Sequence, residues 1–179
     1  MIYKFRIVSD EVNNFKREID INAADTFMDL KNAICDSVGY DKNQMCSFFI
    51  CNDNWEKMKE VAMEEMGFDS DQDVALMDDT DLDSLIEDEG QKLIFVFDYL
   101  TDRCFYMDMK SSRSGQIQDP VCTLSVGAAP SQFTDIDEFA KITDVSSSIE
   151  DIDTDADFYG SESYNPDEFD ISNYDISEE

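Results

Sequence analysis

Carboxylates are the side chains from which this chain would have to build any chemistry: 43 of its 179 residues are Asp or Glu, and none is His. Paired carboxylates act as acid and base when their surroundings push their pKa values apart. In so acidic a chain close pairs arise by number alone, so Asp98 and Asp102, flanking a turn, are read first as residues that bond their own backbone. The lack of histidine excludes Ser-His-Asp and Cys-His catalysis, His-ligated zinc or haem, and imidazole proton transfer. Asp151, Asp153, Asp155, Asp157 and Glu162 have the ligand spacing of an EF-hand loop, but Ala156 stands where that loop turns on a glycine. Asp69, Asp71 and Asp73 begin a similar pattern and lack both its glycine and its closing Glu. No metal or cofactor site is assigned, and the chain reads as non-enzymatic.

The formal charge is −30, with 13 Lys and Arg that do not run together; the densest pairs, Lys16 with Arg17 and Lys57 with Lys59, sit among carboxylates. Direct nucleic-acid binding by phosphate neutralisation is therefore not expected. An acidic surface does fit a basic protein, including one whose own groove takes nucleic acid. Cys35, Cys46, Cys51, Cys104 and Cys122 are an odd number without CxxC spacing, which predicts reduced, mostly buried thiols. No apolar run approaches the roughly 20 residues of a membrane span, and the first residues lack a signal-peptide pattern, so a cytoplasmic protein without membrane contact is expected.

The elements that must position these groups follow from periodicity. Tyr3, Phe5 and Ile7 alternate with Lys4 and Arg6, and Phe15, Arg17, Ile19 and Ile21 alternate with Lys16, Glu18 and Asp20, which predicts a β-hairpin. Thr26 and Asp29 cap a helix carrying Phe27, Leu30, Ile34 and Val38 on one face and ending at Gly39. Residues 46–51 read as a strand. Residues 55–66 fit a helix or an edge strand equally, residues 74–77 a short strand, and residues 80–87 a turn or two of helix. The run 93–97 (LIFVF) is the central strand, buried on both faces, and it turns back into Phe105, Met107 and Met109. Cys122, Leu124 and Val126 predict a last strand.

From residue 131 the composition changes: sixteen acids and one Lys occupy the last 49 residues. A domain over residues 1–130 and an acidic flexible tail over 131–179 are expected. Phe169 and Tyr174 head the two halves of a near-repeat in that tail and, with Trp55, are candidate contact residues.

Four segments within residues 1–130 carry a resemblance: residues 3–7 with 17–19, residues 26–30, residues 38–49, and residues 95–102. Their order resembles the plasmid pRiA4b Orf-3-like family, found in bacteria, archaea and mobile elements and mostly of unknown function. The resemblance implies a small α+β domain of β-grasp type and brings no reaction with it. The family motif Tyr-Asp-Phe-Gly-Asp-x-Trp corresponds to Phe97, Asp98, Tyr99 and Asp102, with Leu100-Thr101 in place of the single glycine, which widens the turn, and Cys104-Phe105 in place of the Trp.

The functional expectation is a macromolecular interaction module with a basic protein partner. The alternative is a small-molecule or nucleotide-binding domain with its site near Asp98 and Tyr99. Self-repulsion at −30 also predicts a fold that gains stability as salt rises toward about 0.5 M.

Overall fold

A computed structural model describes residues 1–64 and 75–133. The predicted first hairpin is present as β1 (Ile2–Val8) and β2 (Lys16–Asn22), antiparallel and in register from Ile2 against Asn22 to Val8 against Lys16. Helix α1 (Phe27–Val38) starts with a complete capping box, since Thr26 Oγ1 accepts the Asp29 N–H and Asp29 Oδ2 accepts the Thr26 N–H. It ends at Gly39, whose φ of 74° is the left-handed conformation that releases the chain from the helix. Phe27, Leu30 and Ile34 are buried beneath it.

Strand β3 (Ser47–Cys51) follows, then β4 (Lys57–Ala62) and β5 (Ala75–Leu76). A 3-10 turn (Leu82–Ser84) leads to β6 (Lys92–Asp98), β7 (Arg103–Arg113) and β8 (Val121–Val126). The eight strands of the described residues form one sheet in the order β5-β4-β3-β6-β7-β1-β2-β8, and among them only β4 and β5 pair in parallel.

This corrects the expected fold class. The described chain is a mainly β protein, one eight-stranded mixed sheet with a single α-helix, and not an α+β domain of β-grasp type. The cause lies in the middle segments. Residues 57–62 carry helix-forming Lys, Glu and Met, but the exposed edge of β3 offers a row of backbone partners, and tertiary pairing overrides propensity. Residues 75–76 extend the same edge, so the sheet grows past what one helix can cover.

β6 is the central strand expected from its sequence. Leu93, Phe95 and Phe97 enter the main core against α1, Phe48, Phe105 and Met107, while Ile94 and Val96 join Cys51 in a second, smaller cluster on the opposite face. The main core is strongly aromatic: Phe105 stacks on Phe15 at 5.0 Å and meets Phe97 at 4.7 Å. The expected last strand forms as β8. A register shift between Glu18 and Ile19 interrupts its pairing with β2, and only Leu124 is half-buried, the other five residues being exposed. Cys35, Cys46 and Cys51 are buried, Cys104 is partly so and Cys122 is exposed.

Among the described residues no helix is long and apolar enough to cross a membrane. Ser131–Phe133 of the expected tail are described: Gln132 Oε1 accepts the Asp41 N–H at 2.6 Å, and the Ser131 carbonyl accepts from Arg103. Phe169, Tyr174 and the EF-hand-like spacing at 151–162 lie outside the described residues, as do Asp69, Asp71 and Asp73.

Candidate functional site

Phe97, Asp98, Tyr99 and Asp102 come together at the β6–β7 turn, and their bonds are spent inside it. Phe97 is buried against Tyr40 and Phe105, with the Arg103 guanidinium 5.2 Å from its ring centre. Asp98 Oδ1 accepts the Leu100 N–H at 2.9 Å and Oδ2 accepts the Thr101 hydroxyl at 2.6 Å. Burial alone would raise the pKa of Asp98, but these hydrogen bonds and the Arg103 charge outweigh it and hold the carboxyl below its ordinary value. That is the setting of a turn-stabilising carboxylate, not of an acid poised to give up a proton near neutrality. Asp102 takes the left-handed φ of 52° demanded by the widened turn and points outward, 3.7 Å from Lys57.

The Tyr99 hydroxyl touches Ser47 Oγ and donates to Glu60 Oε1, which also accepts from Ser47. Burial pushes the Tyr99 phenol up to about 12, so it remains a hydrogen-bond donor at physiological pH. The trio ties the β6–β7 turn across β3 to β4. Among the described residues the one carboxylate bonded to the Ser47 hydroxyl is Glu60.

Trp55 lies on the sheet face opposite α1. Its left-handed φ of 66° is set by a turn in which Asn52 Oδ1 accepts the N–H groups of Asn54 and Glu56. The indole meets Tyr106 edge-on at 5.2 Å, with the Lys92 ammonium 5.0 Å from its ring, and 36% of the residue stays exposed. Trp55 is thus an anchor on the sheet with an open rim.

Two features escape a linear reading. The first is that cations scattered along the chain meet on this same face. Lys4 lies 2.6 Å and Arg113 2.9 Å from Asp20; Lys16 lies 3.0 Å and Lys110 2.8 Å from Glu18; Arg6 lies 2.7 Å from Asp108. Hydrogen bonds from Lys110 and then Lys16 hold the Glu18 carboxyl down at about 2. Asp20 Oδ1 accepts no directed hydrogen bond, yet the Lys4 ammonium sits against it. The alternation of Lys4 with Arg6, and of Lys16 with Glu18 and Asp20, is the signal that foretells this mesh. Eight of the twelve Lys and Arg in the described residues stand in ion pairs.

The second feature is the segment 78–89, where Asp78, Asp79, Asp81, Asp83, Glu87, Asp88 and Glu89 are all exposed and none is ion-paired with a described residue, Glu89 instead accepting the Ser112 N–H and hydroxyl. This is no loose loop. Met77, Leu82 and Ile86 are buried in the main core, and the backbone is pinned at both turns: Phe27 N–H to the Thr80 carbonyl at 3.1 Å, Leu82 N–H to Asp25 at 3.0 Å, Asp83 N–H to Ala23 at 2.9 Å. Six carboxylates therefore project from a fixed ridge between β5 and β6, with Glu89 tied back to Ser112 at its end. The buried spacing of residues 77, 82 and 86 was the available signal. Among the described residues no three Asp, Glu or Cys side chains converge to hold a metal ion.

A comparison with protein-family models matches residues 1–173 to the plasmid pRiA4b ORF-3-like protein family. The chain belongs to that family. The match runs past residue 130, where the resemblance in the sequence stops. No curated protein matches the chain. Among solved structures, a protein of unknown function from Methanosarcina mazei Go1, MM3350, is 14% identical with a TM-score of 0.59, covering 82% of each chain. At that identity the likeness concerns the fold alone, which the two share across most of their length.

Proposed function

We propose that this member of the pRiA4b ORF-3-like family is a non-enzymatic interaction module that engages a basic protein surface through the ridge of residues 78–89. One observation carries the reading: eight of the twelve described cations are drawn into ion pairs, five of them on one sheet face, while six carboxylates stand exposed on a pinned backbone with no ion pair among the described residues. A preset array of charges loses little conformational entropy on binding and steers a partner of opposite charge. The alternative, a small-molecule site at the β6–β7 turn, has less support, because both Asp98 oxygens and the Tyr99 hydroxyl already have partners within the domain.

The test is a fluorescence titration of the full chain with labelled decalysine at low and high salt. Three proteins are compared: the wild type, a ridge variant (D78N, D79N, D81N, D83N, E87Q, D88N), and a control with six tail acids neutralised (D135N, D137N, E138Q, D144N, E150Q, D151N). The ridge variant is expected to bind at least about tenfold more weakly than the control, with a shallower salt dependence. Equal affinities of the two variants would overturn the reading.

A further inference from the structure

The sheet has two edges of unequal character. One is β5, described over Ala75–Leu76. The other is β8, six residues reading VCTLSV without a single charge in a chain of −30. Natural sheets protect long edges with lysines, prolines or bulges that turn them away. Pro120 stands just before β8 and the register shift at Thr123 interrupts it, but no lysine or proline stands within it. Val121 and Val126 are 49% and 44% exposed, and among the described residues no strand pairs with the outer side of β8.

The strand is nevertheless held firmly from its inner side. Arg17 is buried, with its guanidinium 4.6 Å above the Phe15 ring, and donates to the carbonyls of Val126 at 2.7 Å and Gly127 at 3.1 Å. Lys4 donates to Thr123 Oγ1 at 3.0 Å. Gly127 then turns the chain with a φ of 70°, where a Cβ would lie 2.6 Å from the Asn14 carbonyl oxygen. β8 is a rigid, open, neutral edge.

We infer that β8 is a strand-addition site for an extended segment of a basic partner, pairing antiparallel to it. The inference rests on the proposed function and names how the partner is gripped. A second copy of this chain is the poorer occupant. Two bodies of −30 repel, and a single six-residue strand pair buries well under the about 1,000 Å² that a stable interface needs. A basic segment has the opposite charge balance, and the geometry sets where its cations belong. Val121 pairs with Asp20, and just past Asn22, the last residue of β2, the Ala23 carbonyl holds the Asp83 N–H of the acidic ridge. The start of β8 and the ridge therefore share one end of the sheet. A strand running antiparallel to β8 travels toward that end, so its basic residues follow the strand on its C-terminal side. Within the strand, apolar and hydroxyl side chains suit the neutral edge, because Lys4 and Lys16 lie next to it on the outer face.

The experiment is hydrogen exchange on the full chain with two synthetic probes of equal charge. The first alternates valine and threonine for five residues and continues with glycine and four lysines; the second has proline in place of each threonine and cannot form a ladder. The first is expected to slow the exposed amides of residues 121–126 at least about tenfold, and the second to leave them unchanged. If both probes bind without slowing β8, or both slow it equally, strand addition is overturned while the charge reading stands. If neither binds, the charge reading itself fails. Protection of β8 that grows with protein concentration before any probe is added would assign the edge to a second copy and overturn the proposal.

Discussion

At the residue scale, burial and charge place two side chains under tension that single substitutions can read. Arg17 is buried with four backbone hydrogen bonds, to Ser37, Lys16, Val126 and Gly127. Arg17→Ala leaves those carbonyls unpaired and is expected to lower unfolding stability by about 2 to 4 kcal/mol in urea titrations, with faster exchange at β8 than at β6. Glu18 has its carboxyl depressed from an ordinary 4.5 to about 2 by Lys110 and Lys16. Its folded pKa lies below its unfolded one, so its contribution is complete above about pH 4.5 and is lost as pH falls toward 2. Glu18→Gln is expected to flatten the acid limb of stability across that window. An unchanged limb would mean that the Lys–Glu mesh contributes nothing measurable. The thiols go the other way: burial pushes Cys46 up to about 12, which makes it inert to alkylation in the folded state, whereas Cys122 is open to it.

At the scale of elements, legibility in the sequence tracked how completely an element is decided by its own residues. The first hairpin, α1 and β6 are each fixed by an apolar period, by the Thr26–Asp29 cap or by five unbroken β-formers, and each is where the sequence puts it. β4 was undecidable because its Lys, Glu and Met favour a helix in isolation, and the partner that makes it a strand, the edge of β3, is invisible in a linear pattern. The fold class failed for that reason: each added edge strand shifts a helix-on-hairpin plan toward a broad sheet. The site was legible only in its ingredients. Asp98 and Asp102 are read as turn residues that bond their own backbone, which holds for Asp98 but not for Asp102, whose carboxylate faces Lys57, and the acidic ridge reads as an ordinary polar loop until Met77, Leu82 and Ile86 are seen to be buried beneath it. Gly127→Ala forces a Cβ against the Asn14 carbonyl and is expected to cost about 2 kcal/mol or more in urea unfolding, with exchange at β8 rising first.

At the scale of the whole molecule, charge is the organising quantity. Eight of the twelve cations of the described residues are spent on internal ion pairs, so carboxylates dominate the field outside. Screening should therefore stabilise: the melting temperature is expected to rise from about 0.05 M to about 0.5 M NaCl, as the screening length falls well below its value of about 10 Å at 0.1 M. A flat or falling curve would show that loss of the ion-pair mesh outweighs relief of repulsion. The same field makes association with any polycation easy, so affinity alone says little about a specific surface. What separates a shaped acidic ridge from a diffuse cloud of charge is where the contact falls.

The most direct measurement is an amide NMR titration of the full chain with unlabelled decalysine. The account predicts that the largest shift changes cluster in residues 78–89, with the β6–β7 turn at Asp98 and Tyr99 unmoved. Changes spread evenly over the acidic residues, or centred on Asp98 and Trp55, would contradict it.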